Sequence, residues 1–342
     1  MEGAPGGHEA SSSAAHDAHR LRNGVIWTAV LLLLLLGIGL AVPDLRDVLK
    51  RASDANLLWI ALGVALEGAS CLGYVAVVRL VLSRGPAKPV RQLAWAEMAF
   101  GAVVPVGGAG GLAVGAWAMR TWGATWTRIV NRSAVIFLLT SAVNAAVLAI
   151  AGFGLVLGIG HHHVALVWTL GPALVAVGGV ALFVVIPLLP RPKRTGRLAT
   201  ALEQSSDWVR DTEAIAFRPN WRLLGAVGYL CFDIAVLWVC LKAVGVTAPV
   251  FALVAGYQIG YLANLLPVPG GVGVLEGGLL GALLIYGLPA APTAAAVIIY
   301  HAIALWVPTL GGIGAFARLG RRLASGEPLV PPRAEESPGI AA

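Results

Sequence analysis

The sequence predicts an all-α polytopic membrane protein with about six full transmembrane helices and two re-entrant hairpins that proline and glycine interrupt. Three observations support this fold class. Of the 342 residues, 58% are hydrophobic and 12% are charged, whereas a soluble domain has about 25% charged residues. The apolar residues form runs long enough for a helix to cross a bilayer, which needs about 20 residues. Two of these runs contain a Pro/Gly-rich break that a continuous helix cannot accommodate.

Six apolar runs are predicted to be full spans. The first contains six consecutive leucines and has signal-anchor character, because a signal peptide would have a shorter apolar region and a cleavage site. Residues 1–22 and 321–342 are predicted to be disordered cytoplasmic tails, and residues 43–56 a polar loop. The predicted spans are 24–42, 57–82, 133–158, 164–190, 221–243 and 293–317.

Two further segments contain the breaks and are predicted to be re-entrant. Residues 92–119 are too short to cross twice and have basic residues at both ends, so both ends are expected on one side. Residues 250–286 contain the second break, and they are alternatively long enough for two short crossings. Irregular backbone at this depth needs protein or a watery cavity to satisfy its polar groups.

The two breaks align with each other and predict an inverted-topology repeat. At a constant offset of 162 residues (267 minus 105), five of eleven positions are identical. Each hairpin follows a span with one acid and precedes another span, and the charges place the two hairpins on opposite sides. The transmembrane domain is predicted to be 23–320, with repeats at about 57–158 and 221–317 and an amphipathic cytoplasmic linker at 191–220.

The basic residues predict the orientation. Of the 24 Lys and Arg residues, only Arg46, Lys50, Arg51 and Lys242 fall near the outer side, so both termini are expected in the cytoplasm and the protein in the plasma membrane. This distribution explains the net charge of +7 without nucleic acid. The three cysteines lie inside apolar segments, so no disulfide framework, metal site or cofactor is expected.

A substrate site is predicted where the two breaks meet near the bilayer midplane. Helix N-termini there would offer backbone donors to a lipid phosphate, the basic residues would attract an anionic headgroup, and an intramembrane acid would hold a cationic group or a coupling proton. The predicted substrate-binding residues are Glu276, Asn264, Pro267, Pro269, Gly270, Gly271, Gly273, Pro105, Gly108, Gly111, Arg120 and Arg132. The predicted coupling or polar-core residues are Glu67, Glu97, Asp233, Tyr300 and His301.

Structural roles for these residues remain open alternatives. Arg120 and Arg132 can serve as positive-inside anchors, and Glu67 and Asp233 as partners of arginine or backbone groups at the hairpin tips. Glu276 can lie beside a simple kink and reach an interfacial loop.

Residues 265–278 (LLPVPGGVGVLEGG) resemble the signature of the lysylphosphatidylglycerol synthase transmembrane, or flippase-like, family. Residues 300–308 (YHAIALWVP) are similar to its closing motif, and residues 107–111 with 116–120 to the first-half motif of its actinobacterial members. The resemblance covers roughly residues 22–320. It implies the translocating part of proteins that aminoacylate phosphatidylglycerol and move the product outward, here without a synthase domain.

Two departures from the family pattern leave the lipid open. His301 stands where the family has arginine, and residues 131–135 (NRSAV) lack both acids of the Glu-Arg-x-x-Asp pattern. An aminoacyl lipid is therefore not assumed.

The predicted function is translocation of a phosphate-containing or polyprenyl-phosphate-linked lipid across the plasma membrane, by a protein that is not an enzyme. No Walker motif is present. The alternatives are an ion-coupled secondary transporter of a small solute and a non-catalytic membrane partner of a lipid-synthesis enzyme. The expected partners are anionic or polyprenyl-phosphate lipids and no nucleic acid, with a second copy of the chain or a lipid-synthesis enzyme as further options.

Overall fold

The computed structural model describes residues 43–83, 85–103, 109–159, 165–185, 188, 196–262 and 274–324. Within these ranges the chain is helical and has no β-strand. Five helical segments are long and apolar enough to cross a membrane, namely Leu57–Val81, Trp126–Val156, Leu166–Val185, Trp221–Ala243 and Ala290–Ala324. The predicted class, an all-α polytopic membrane protein, is confirmed. The predicted first span, 24–42, and the tail 1–22 lie outside the described residues.

The chain divides into two compact units, residues 1–53 and 54–342. The described part of the first unit is helix α1, Pro43–Ser53, so the prediction of a polar loop at 43–56 was wrong for most of its length. Proline suits the first position of a helix because its missing N–H would have no partner there. Arg51 Nε also donates to Asp47 Oδ2 at 2.9 Å, one helical turn away.

The second unit contains ten α-helices among the described residues, numbered in chain order. They are α2 (Leu57–Val81), α3 (Ala87–Val103), α4 (Ala109–Thr121), α5 (Trp126–Val156), α6 (Leu166–Val185), α7 (Arg197–Ala216), α8 (Leu224–Ala243), α9 (Val250–Tyr261), α10 (Val274–Ile285) and α11 (Ala290–Ala324). A 3₁₀ turn at Trp221–Leu223 leads into α8. Below, α2–α5 are the first half and α8–α11 the second half; α3 with α4 is the first hairpin, and α9 with α10 the second.

Side-chain caps explain where two helices of the first half begin. Asn56 Oδ1 accepts a bond from Leu58 N at 2.9 Å ahead of α2, and Thr125 Oγ1 accepts one from Arg128 N at 3.4 Å ahead of α5. The start of α5 at Trp126 corrects the predicted span 133–158, because the basic residues that suggested a loop continue the helix. Likewise α11 continues to Ala324, beyond the predicted end of its span at 317 and into the predicted tail.

The hairpin helices are short. Helices α3 and α4 have 17 and 13 residues, and α9 and α10 have 12 each. At 1.5 Å per residue these helices are about 25, 20, 18 and 18 Å long, less than the hydrocarbon thickness of about 30 Å. The helices within each hairpin pack on each other. The two breaks, 104–108 and 263–273, lie outside the described residues, so the re-entrant path stays a prediction.

The two halves pack through equivalent helices. Helices α2 and α8 run antiparallel, because Trp59 contacts Trp238 while Ser70 Oγ, further along α2, donates to Tyr229 O at 2.9 Å. A Cβ added at Gly73 would lie 2.7 Å from Gly225 O, so small residues bring the two helices into close contact. Helix α3 packs on α11, and its counterpart α9 packs on α5. This is the arrangement that an inverted repeat requires, and the orientation of the halves in the membrane stays a prediction.

The linker between the halves contains the predicted amphipathic helix, observed as α7. It packs on α5, where Trp208 Nε1 donates to Asn131 Oδ1 at 2.8 Å. The buried Val209 lies on the same side of α7. Its position along the inner membrane surface stays a prediction.

Candidate functional site

A buried ion pair joins three helices of the first half. Arg132, on α5, donates through Nη1 to Glu97 Oε1 at 2.5 Å and through Nη2 to Glu97 Oε2 at 2.7 Å. The side chains are only 5% and 3% exposed. Tyr74, on α2, donates its hydroxyl to Glu97 Oε2 at 3.2 Å. The planar guanidinium matches the carboxylate with two parallel bonds, so the acid on α3 is neutralised where it lies.

Two glycines allow the second helix of the first hairpin to approach this pair. A Cβ at Gly111 would lie 2.6 Å from Glu97 O. A Cβ at Gly115 would overlap Glu97 Oε1 and lie 3.0 Å from Arg132 Nη1. These two glycines therefore let α4 lie directly against α3 and its ion pair.

A second buried cluster joins the equivalent three helices of the second half. Asp233, on α8, accepts hydrogen bonds from the hydroxyls of Tyr257, on α9, and Tyr300, on α11, the latter at 2.9 Å to Oδ1. Both tyrosines are buried, and Tyr257 stacks on Tyr261 with a centroid distance of 4.9 Å. Asp233 forms no ion pair with a basic side chain of the described residues. This acid is held by hydroxyl donors alone.

A further acid lies next to the second cluster. Glu67, on α2, is 6% exposed, and Cys71 Sγ donates to its Oε1 at 3.8 Å. Its other oxygen, Oε2, is buried and has no hydrogen-bond partner among the described residues. Glu67 and Asp233 are close enough to interact electrostatically across the α2–α8 interface. The crossing of the two halves thus brings two acids together.

A half-exposed acid–histidine pair lies beside the second break. Glu276 occupies the first turn of α10, and its Oε1 lies 3.4 Å from His301 Nδ1 on α11. The side chains are 23% and 36% exposed, in contrast to the closed Glu97–Arg132 pair. A Cβ added at the neighbouring Gly277 would meet no atom of the described residues within 4 Å. This pair is accessible to a polar group that arrives at the start of α10.

The structure brings some of the predicted site residues together and places others away from their predicted positions. Arg132 was predicted to attract headgroups at the inner surface; the early start of α5 instead buries it against Glu97. Arg120 remains exposed at the end of α4, where Nη1 donates to Ala124 O at 2.9 Å and the guanidinium lies 5.4 Å from the Trp126 ring centroid. Eight predicted residues lie outside the described ranges: Pro105, Gly108, Asn264, Pro267, Pro269, Gly270, Gly271 and Gly273.

Sequence reasoning missed two residues of the polar clusters and one pairing. It named Tyr300 but not Tyr257 or Tyr74, and it did not pair Glu97 with Arg132. The position of Tyr257 four residues before Tyr261 in a short apolar helix was the available sign, because such residues share a helix face.

The polar groups define what these clusters can do chemically. The carboxylates of Glu67, from the first half, and Asp233, from the second, can hold a small cation or exchange a proton beside the phenols of Tyr257 and Tyr300. The Glu276–His301 pair can both accept and donate hydrogen bonds. Among the described residues, no group of three or more His, Cys, Asp or Glu side chains is arranged to hold a metal ion.

The long apolar helices of the described residues define a multi-pass α-helical membrane protein with polar clusters between its helices. The sequence matches the profile of a family described as the lysylphosphatidylglycerol synthase TM region over residues 24–312. The chain belongs to this family.

A relative from Methanothermobacter thermautotrophicus, described as a UPF0104 membrane protein, is 35% identical over 101 residues. The aligned part covers 29% of this chain and 29% of that relative. The similarity in the aligned part agrees with the family assignment.

Proposed function

We propose that this protein is a lipid translocase of the plasma membrane, with both termini in the cytoplasm. Its substrate is a phosphate-containing lipid or a polyprenyl-phosphate-linked lipid, which it moves between leaflets without changing it chemically. The observation that carries this proposal is the half-exposed Glu276–His301 pair at the first turn of α10. Family membership supports a lipid-related role, because the description of the family names the transmembrane region of a lipid synthase.

The chemistry of the pair suits a lipid headgroup. The Glu276 carboxylate accepts hydrogen bonds from headgroup ammonium or hydroxyl groups, and a protonated His301 donates to a phosphate oxygen. Charged groups inside a membrane are costly and mark substrate or ion pathways.

Each broken hairpin supports the same mechanism. Helices too short to span the bilayer place their ends within it, where a headgroup can exchange water for protein donors and acceptors. The lipid tails remain in the hydrocarbon while the headgroup crosses between the halves. Arg120, exposed at the other end of the first hairpin, attracts the phosphate at the cytoplasmic surface.

The test is reconstitution of the full chain into liposomes that contain head-labelled phosphatidylglycerol or polyprenyl phosphate, with quenching of the outer-leaflet label. We expect the quencher to reach more label than the outer leaflet contains. With Glu276→Gln, the quenched fraction should return to the value of empty liposomes. Glu203→Gln, an exposed acid on α7, serves as the matched control and should behave as the wild type. Mass spectrometry should find the lipids unchanged.

Quenching equal to that of empty liposomes for both probes would overturn the proposal. Uptake of a small solute along an ion gradient by the same preparation would then favour a secondary transporter. A phenotype in cells that survives Glu276→Gln would favour a non-catalytic partner of a lipid-synthesis enzyme.

A further inference from the structure

The crossing of α2 and α8 brings together the buried Glu67 and the half-buried Asp233. Glu67 on α2 and Asp233 on α8 interact across the antiparallel crossing. Neither forms an ion pair with a basic side chain of the described residues. Two negative charges this close inside a bundle repel each other and lose their hydration, so they cannot both stay ionised without a cation.

The hydrogen bonds show where that cation belongs. Asp233 is fully engaged by the hydroxyls of Tyr257 and Tyr300. Glu67 receives one thiol donor on Oε1, and its buried Oε2 has none among the described residues. An acceptor oxygen that is buried without a donor is unfavourable, and a proton on this carboxyl would remove both the charge and the unpaired acceptor.

The side chains that face Glu67 and Asp233 from the neighbouring helices favour a proton, rather than a fixed basic side chain, as the cation that neutralises these acids. Helix α2 itself contributes Cys71 and Tyr74, and α8 contributes Tyr229. The remaining groups that face the acids are Tyr257 and Tyr261 of α9 and Tyr300 of α11, which precedes His301 in the sequence. The nearest arginine in the first-half cluster, Arg132, is occupied by Glu97 with two bonds. The acids are therefore surrounded by neutral donors.

We infer that Glu67 and Asp233 share one exchangeable proton, and that this site couples lipid movement to the proton gradient across the membrane. In the uptake step a hydronium ion transfers its proton to a carboxylate oxygen and leaves a water molecule; the release step reverses this at the other side. The site lies where α2 and α8, the equivalent helices of the two halves, cross. Protonation or deprotonation changes the charge of this site and therefore the packing of the α2–α8 interface, about which the halves rearrange. The coupling rests on the proposed function, whereas the proton site does not.

Two measurements on the full chain in liposomes test the inference independently. Infrared difference spectra between acidic and alkaline buffer should contain the carbonyl band of a protonated carboxyl, which Glu67→Gln removes. The initial rate of lipid movement should change several-fold when a pH gradient of about one unit is imposed, and Glu67→Gln should abolish this response. Glu203→Gln is the matched control, and Glu67→Gln with Asp233→Asn provides a second neutral variant in case the single one folds poorly.

The outcomes separate the inference from the proposed function. If the rate of lipid movement in the wild type does not change with a pH gradient, the proposed coupling is wrong and the proposed translocase function still stands. A carboxyl band that persists in both neutral variants would overturn the proton site. A rate that follows a sodium gradient at fixed pH would overturn the assignment of the cation as a proton. If no lipid moves in the wild type, the proposed function fails and the infrared band alone decides the proton site.

Discussion

The two halves of the molecule use equivalent helices, but the acids of their polar clusters have opposite kinds of partner. In the first half, Glu97 on α3 receives two bonds from Arg132 and one from Tyr74, so its charge is neutralised inside a closed cluster. In the second half, Asp233 on α8 receives two tyrosine hydroxyls and no basic partner from the described residues. The first cluster is suited to hold helices in place, and the second retains the capacity to bind a cation.

The second helices of the two hairpins differ in the same sense. Gly115 of α4 lies directly against the ion pair. Gly277 of α10, at the equivalent position 162 residues later (277 minus 115), has no described residue within 4 Å of an added Cβ. The acid nearest to Gly277 is half exposed, and the acid nearest to Gly115 is buried. We therefore associate the first hairpin with helix packing and, within the proposed function, the second hairpin with substrate contact.

Removing the cation of the first cluster should have the largest effect on stability. Arg132→Ala leaves Glu97 buried without its partner and should lower the free energy of unfolding by about 3–5 kcal/mol. Unfolding in detergent, followed by circular dichroism, measures this. Arg132→Met combined with Glu97→Leu removes both charges and should recover most of the loss. A loss below about 1 kcal/mol for Arg132→Ala would contradict the structural role of the pair.

The glycine pair sharpens the comparison between the hairpins. Gly115→Ala places a methyl group against Glu97 and Arg132 and should cost about 1–3 kcal/mol. Gly277→Ala, the matched control, meets no neighbour among the described residues and should be neutral or stabilise its helix by up to about 1 kcal/mol. The same unfolding measurement on both variants decides the point, and equal costs would show that the two positions are equally packed.

Single tyrosines should matter more in the second cluster than in the first. Tyr300→Phe removes one of two donors to Asp233 and should cost about 1–2 kcal/mol. Tyr74→Phe should cost less than about 1 kcal/mol, because Arg132 still engages both oxygens of Glu97. Thermal unfolding of the two variants side by side checks the order, and a larger loss for Tyr74→Phe would reverse our interpretation.

The acid–histidine pair should have the smallest effect on stability. His301→Ala should change the free energy of unfolding by only about 0–1 kcal/mol, because both side chains of the pair are partly exposed. Lipid movement in liposomes should nevertheless fall several-fold. Unchanged lipid movement would remove His301 from the substrate site.

Much of this fold follows from the sequence because the bilayer imposes strict rules. Apolar length predicted the long helices. The interruptions that proline and glycine predict lie at 104–108 and 263–273, outside the described residues, so they stay predictions. The helix at Pro43–Ser53 was missed because its polar composition suggested a loop, although its first proline and its Asp47–Arg51 pair favour a helix.

The polar partners were harder to predict. Hydropathy and charge rules count an arginine near a span end as an anchor, so Arg132 was assigned to the surface. Its burial depends on the tertiary contact of α5 with α3 and on the space that Gly115 leaves, neither of which a single sequence displays. Glu67 and Asp233 were identified as buried acids, but their proximity depends on the crossing of α2 and α8.

We propose that the Glu97–Arg132 pair stabilises the fold and that the Glu276–His301 pair contacts the substrate. The most direct test compares two isosteric substitutions, Glu97→Gln and Glu276→Gln, for both unfolding and lipid movement per folded molecule. We predict that Glu97→Gln lowers stability by more than about 2 kcal/mol, because Arg132 loses its counter-charge, and retains lipid movement in the folded fraction. Glu276→Gln should leave stability within about 1 kcal/mol of the wild type and abolish lipid movement. The reverse pattern, or equal losses of stability and movement in both variants, would contradict the account.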